Sequence, residues 1–321
     1  MELGGMNIWV WIGFYILVLA MLAIDLFSFG KKGQHEVGIK ESLRMTIVWI
    51  IVSILFGLGI YVFDADPGQE GLFHGTKRAM EYFAGYLIEK SLSMDNLFVF
   101  LMLFSYFGIE RKYQHEVLFW GIFGALVLRS VFIFAGVAVI TRFEWVLAIF
   151  GLFLLYTGIK MFVSKDENVD PSRNFIVRLF KRFFPVTDQH HGDKFFAKVN
   201  GKTFATPLFI TLIVIETTDV AFAVDSIPAV FSVSHDPFVV LTSNIFALLG
   251  LRALYFALSA ITQYFRYLKY GLGFILFFVG VKMIIGLKWI DIEIPIGWSL
   301  AVIIGVLAVS ILASVLIKKK N

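Results

Sequence analysis

The stretch Glu89-Lys90-Ser91-Leu92-Ser93-Met94-Asp95-Asn96 sits inside an apolar run near residues 80–107, and Asp219-Val220-Ala221-Phe222-Ala223-Val224-Asp225-Ser226 sits inside another near 205–232. Each carries two acids six residues apart, followed by a small polar residue. The runs around them are long enough to matter, because about 20 apolar residues in a helix cross a hydrocarbon core about 30 Å thick. Of the 321 residues, 59% are hydrophobic and only 16% are charged, against about a quarter charged in an ordinary soluble chain. The chain therefore reads as an all-α polytopic membrane protein. That excludes a secreted domain, a soluble enzyme and a nucleic-acid binder that reads bases. The net charge of +4 then belongs to loops facing anionic lipid. With no cysteine, disulfides, thiolate metal sites and thiol catalysis are excluded. The first apolar stretch follows Met1-Glu2 with no basic region ahead of it, so no cleavable signal is expected.

Nine apolar segments can be drawn, near 8–28, 44–63, 80–107, 117–140, 144–163, 205–232, 237–260, 268–287 and 295–317. Basic residues in the loops between them divide 19 to 4 between the two sides. The poor side holds Lys77, Arg78, Arg142 and Lys288; the rich side includes Lys31, Lys32, Arg111, Lys112 and Lys318 to Lys320. The positive-inside bias places the N-terminus outside and the C-terminus in the cytoplasm. The organisation expected is two helices over 1–79, a three-helix unit over 80–164, a cytoplasmic loop over 165–203, a second three-helix unit over 204–288, and a last helix with a basic tail over 289–321. In the loop, Phe175, Ile176, Leu179, Phe180, Phe183 and Phe184 recur at helical spacing opposite Arg173, Arg178, Lys181 and Arg182, as in a helix lying on a membrane surface. Asn200-Gly201 is a two-residue turn signal for a hairpin.

The two three-helix units share landmarks. Leu128-Arg129-Ser130 answers Leu251-Arg252-Ala253, and Thr157-Gly158-Ile159-Lys160-Met161 answers Val279-Gly280-Val281-Lys282-Met283, in the same order as the acidic stretches. A unit of three spans is odd, so its repeat crosses the membrane in the opposite direction. Inverted repeats of this kind mark secondary transporters, which hold substrate near the midplane.

Five acids lie deep in spans: Glu89, Asp95, Glu216, Asp219 and Asp225; Asp25 lies near the cytoplasmic end of the first. Each costs about 2.5–3.5 kcal/mol at the bilayer centre on insertion scales, so each must pair, be protonated, line water or hold a cation. At about 1.5 Å per residue, Asp95 and Asp219 both fall in the middle third of the bilayer. Acids six apart diverge by about 120° on a regular helix, so convergence calls for a local break, for which Pro228, Ser91, Ser93 and Asn96 are the candidates. Lys90, Arg129 and Arg252 are the bases placed to pair with the acids, and three bases cannot neutralise five. All six histidines fall in loops or at span edges. Carboxylate, amide and carbonyl oxygens suit magnesium, calcium and manganese, and the sulfur of Met94 beside Asp95 would favour manganese.

These residues resemble the two signature stretches of the TerC family (tellurium resistance protein C), the second extending through Ile227-Pro228-Ala229, with a likeness to its Alx branch of bacterial inner-membrane proteins. The resemblance implies manganese efflux, with Glu89, Asp95, Asp219 and Asp225 at the family's acidic motif positions and Asn96 beside them; these and Glu216 are the expected metal ligands, and Asp25 and Met94 are further metal or pathway candidates. The expected function is export of Mn²⁺, or another hard divalent cation such as Ca²⁺, by proton antiport, with no enzyme cofactor and no nucleic-acid partner. The rival reading is a membrane scaffold or metal-delivery partner for exported metalloenzymes or a stress-resistance complex. An intramembrane enzyme is the weakest reading, since no histidine, cysteine or HExxH pattern lies within a span.

Overall fold

The computed structural model describes residues 2–3, 6–30, 38–63, 76–143, 145–163, 178–180, 182, 184–187, 189, 192–199, 201–259, 267–287 and 294–316. Among them the long helices are α1 (Ile8–Gly30), α2 (Ile39–Phe63), α3 (Thr76–Tyr106), α4 (Arg111–Arg142), α5 (Val146–Val163) and α6 (Pro207–Phe231). They are followed by α7 (Pro237–Leu248), α8 (Leu251–Leu258), α9 (Leu268–Ile285) and α10 (Ile296–Leu316). Among the described residues, seven segments are long and apolar enough to cross a membrane: α1, α2, α4, α5, α6, α10, and α7 with α8 taken as one. The nine spans expected from sequence add α3 and α9. Helix α3 is long enough, but Glu89, Lys90 and Asp95 break up its apolar run.

Polarity runs from the inside outward. Helix α3 buries Glu89, Lys90, Ser91, Ser93 and Asn96, and every residue of α7 and α8 but the first is buried among its neighbours. Outward-facing positions of the other helices are apolar, with Leu55, Val131, Leu152 and Val309 exposed. In a bilayer this is the stable order, since lipid solvates apolar side chains and polar groups must find partners within the protein.

The seventh expected span is broken. Leu249 (φ −60°, ψ 134°) and Gly250 (φ 80°, ψ 1°) separate α7 from α8, close to the central angles of a type II turn. A Cβ on Gly250 would also lie 2.7 Å from the Trp49 side chain of α2, so glycine is needed there for both angle and space. The break expected near Pro228 is absent, and α6 stays helical through Phe231. Pro228 lies in its last turn, so its missing N–H frees the Val224 carbonyl with only three helical residues still to follow. In α3, Ser91 and Ser93 donate back to the carbonyls of Leu87 and Glu89, and the helix runs unbroken. The serines thus decorate the helix without opening it.

Helices α5 and α9 cross at glycines. A Cβ on Gly158 would lie 2.8 Å from the carbonyl oxygen of Gly273, and one on Gly280 would lie 2.9 Å from that of Gly151. As α5 advances α9 recedes, so the pair is antiparallel. In the 165–203 region and just past it, strand β1 (Phe196–Val199) pairs with strand β2 (Lys202–Ala205) around Gly201 at φ 76°. Phe180 stacks on Phe184 and, with Phe196, packs on Phe209 at the start of α6. Residues 178–180 are helical. Arg173, Phe175, Ile176, Lys181 and Phe183 of the amphipathic stretch lie outside the described residues.

The glycine crossing has a direct test. Gly158→Leu should overpack the α5–α9 contact at a cost of about 1–3 kcal/mol and lower the melting temperature in detergent. Gly305→Leu, where nothing lies within 4 Å, should leave it unchanged.

Candidate functional site

Arg129 of α4 is fully buried, and its guanidinium holds four helices together. Its Nε and Nη2 donate to Asp219 Oδ2 and Oδ1 of α6 at 3.1 and 3.0 Å. Its Nη1 donates to the Glu89 carboxylate of α3, to Asn244 Oδ1 of α7 at 3.1 Å, and at 3.4 Å to Ser226 Oγ. The fork on Asp219 is the bidentate arrangement that a planar guanidinium makes and an ammonium cannot. Glu89 and Asp219 are the first acids of the two motif stretches, so one arginine joins corresponding positions of both.

Lys90, beside Glu89, donates to the carbonyl of Ala247 at 3.1 Å. That carbonyl belongs to the last turn of α7, just before the break, where carbonyls lack helical partners and the helix dipole is negative. A buried ammonium satisfies both.

The other acids are dispersed. Asp225 reaches away from the arginine to accept from Thr157 Oγ1 of α5 at 3.4 Å, as the angular offset on an unbroken helix dictates. Glu216 shares a face with Asp219 and packs on Gly124 of α4, where any Cβ would collide with its carboxylate. Asp25 of α1 pairs with Arg252 of α8: Nη2 lies 2.9 Å from Oδ2 and also meets the backbone oxygen of Asp25. Asn96 is buried and Met94 packs half-buried on the core. The backbone of Asp95 lies in α3, but its side chain lies outside the described residues. Among the described residues, no three acidic or histidine side chains converge as a metal cluster. Three carboxylate oxygens, Glu89 Oε2, Glu216 Oε2 and Asp25 Oδ1, are nevertheless buried with no hydrogen-bond partner among the described residues, the first two of them near Arg129.

Two partners escaped the sequence reading. Asn244 is fully buried on the arginine, and its signal was the polar triplet Thr242-Ser243-Asn244 within an apolar run. Glu81 is nearly buried and accepts from Ser234 Oγ. It sits one turn into α3, where an acid reads as interfacial.

A charged interior wrapped in lipid-length apolar helices defines an integral membrane protein. The chain belongs to the integral membrane protein TerC family, whose model matches residues 74–321. It is 45% identical over 303 residues to the "Putative membrane-bound redox modulator Alx" of Salmonella typhi, covering 94% of this chain and 92% of that one. It is 46% identical over 314 residues to the uncharacterized membrane protein STKORF319 of Myxococcus xanthus, covering 97% and 93%. The Alx protein of Escherichia coli K12 is 44% identical over 302 residues, with 94% and 92% covered. No solved structure matches.

Arg129→Leu leaves Glu89 and Asp219 buried without their cation, a loss of about 3–5 kcal/mol for a broken buried pair. Melting of the purified variant should show it. Arg129→Lys, which keeps the charge and loses the fork, should be milder. Equal destabilisation by both would show that the charge is not what holds these helices.

Proposed function

We propose that this protein is a secondary transporter that exports Mn²⁺ from the bacterial cytoplasm by proton antiport, using intramembrane carboxylates. The observation that carries this reading is the Arg129 cluster, where one cation meets Glu89 and Asp219 while Glu89 Oε2 and Glu216 Oε2 stay buried with no donor among the described residues. Carboxylate oxygens without donors, deep in a bilayer, are places for protons or a hard cation. Asp219 and Glu216, which share a face of α6, would supply oxygen ligands with Asp95 and Asn96 of α3, Met94 would add sulfur, and Glu89 would join once the helices close on the metal. Asp225 and Asp25 would line the path on either side.

The nine-span inverted-repeat architecture belongs to the same proposal. Adding 122 to the residue number takes Gly158 to Gly280 and Gly151 to Gly273. The contacts Gly158–Gly273 and Gly151–Gly280 therefore exchange with each other, as they would about a two-fold axis in the membrane plane. Exposed Trp9, Trp145 and Trp298 lie at the starts of α1, α5 and α10, all on the face that the basic-residue bias puts outside, where an interfacial aromatic belt is expected. The Alx relatives are named as redox modulators. Export of a redox-active metal is one route to that role for a chain without cysteine.

Energetics calls for a coupled ion. Moving a divalent cation outward against an inside-negative potential costs about 4.6 kcal/mol per 100 mV, twice the ~2.3 for one charge. The carboxylates that bind the metal can also bind protons, so each cargo displaces the other.

Proteoliposomes with an enclosed pH indicator test this. Purified protein should move Mn²⁺ and protons in opposite directions, and Asp219→Asn or Asp95→Asn should stop both while the protein stays folded. Manganese flux indifferent to an imposed pH gradient at clamped voltage would exclude antiport. No flux by the wild-type protein would favour the scaffold reading.

A further inference from the structure

A second feature lies at the opposite end of α3 from its first turn, apart from the carboxylates. A cavity of about 280 Å³ opens between the end of α3, the α3–α4 turn and α8. Its apolar walls include Leu101, Phe104 and Ile109, and its polar lining is Ser105, Arg111, Gln114, Tyr255 and Ser259.

Most of these polar groups are already committed. Tyr255 donates its hydroxyl to Gln114 Oε1 at 2.8 Å, and Gln114 Nε2 donates to the carbonyl of Ile109 at 2.9 Å. Ser259 donates to the carbonyl of Phe256 at 2.9 Å. Arg111 is the exception. Its guanidinium carbon sits 6.0 Å from the centre of the Phe256 ring, one Nη2 contact reaches Ser259 Oγ at a long 3.4 Å, and its buried Nε has no partner among the described residues. Among the described residues no carboxylate lines the cavity, and neighbouring Glu110 pairs with Lys112 at 2.8 Å. The cavity thus offers one held cation with a donor to spare, beside an apolar wall.

A guanidinium matches phosphate oxygens in pairs, and basic pockets between transmembrane helices take anionic lipid headgroups. We propose that this cavity binds the phosphate of an anionic phospholipid, with Arg111 on the phosphate and the start of an acyl chain along Leu101, Phe104 and Ile109. The apolar wall beside the cation favours a lipid over free phosphate. Because Tyr255, Phe256 and Ser259 belong to α8 or its cap, a bound lipid would brace the short half of the broken span.

The test uses the full-length purified protein in detergent with phosphatidylglycerol, phosphatidylcholine or inorganic phosphate added. Phosphatidylglycerol should raise the melting temperature more than phosphatidylcholine. Arg111→Gln should weaken binding of the anionic lipid about fivefold, as expected for one basic contact near an anionic surface. Lys112→Gln, a change at a neighbour outside the cavity lining, should keep the preference. Should Arg111→Gln not fold, Ser105→Trp blocks the cavity with Arg111 retained and should remove the preference equally. Equal protection by the two lipids, or a preference surviving both Arg111→Gln and Ser105→Trp, would overturn the site. Protection by inorganic phosphate matching that by phosphatidylglycerol would overturn the lipid assignment.

Discussion

A buried arginine cannot be left alone in a bilayer, and that constraint organises the centre of this protein. Arg129 lies where neither water nor lipid headgroups can solvate it, so its donors must be met by side chains. Asp219, Glu89, Asn244 and Ser226 meet them. Helices α3, α4, α6 and α7 must therefore converge on one point, and their apolar faces pack to suit. Lys90 on the end of α7 and Arg252 on Asp25 repeat the principle at smaller scale. One cation facing two carboxylates leaves negative charge to spare. That surplus is what the proposed cation site would draw on.

Packing in lipid has little hydrophobic drive, so close approach through small residues does the work. Gly151, Gly158, Gly273 and Gly280 let the backbones of α5 and α9 nearly touch, and Gly124 makes room for the carboxylate of Glu216. Gly250 lets the backbone turn inside the bundle against Trp49. Glycine is used here for contact as much as for conformation.

Much of the fold was legible in the sequence because bilayer thickness imposes a length on each helix and apolar runs of that length are conspicuous. The importance of Glu89, Asp219 and Arg129 was legible for the same reason, since charges are rare in such runs. Which acid Arg129 holds was not, because spacing along a helix gives angles and never the neighbour across an interface. Arg252 counts among the deep bases in sequence, yet it is taken by Asp25 of α1. The break was sought at Pro228 because proline is the strongest local signal. It lies at Gly250, where a turn and the packing of Trp49 act together and only the tertiary fold reveals both. Asn244 was hidden because an uncharged polar residue in an apolar run draws less notice than a charged one.

The central claim is that the carboxylates around Arg129 form the cation site. Anomalous scattering at the manganese edge from metal-soaked crystals tests it directly. A peak between α3 and α6, within ligand distance of Asp219 and Asp95 and lost in Asp219→Asn, is the result this account predicts. A manganese peak elsewhere in the protein, or none in crystals that diffract well enough to reveal one, would contradict it.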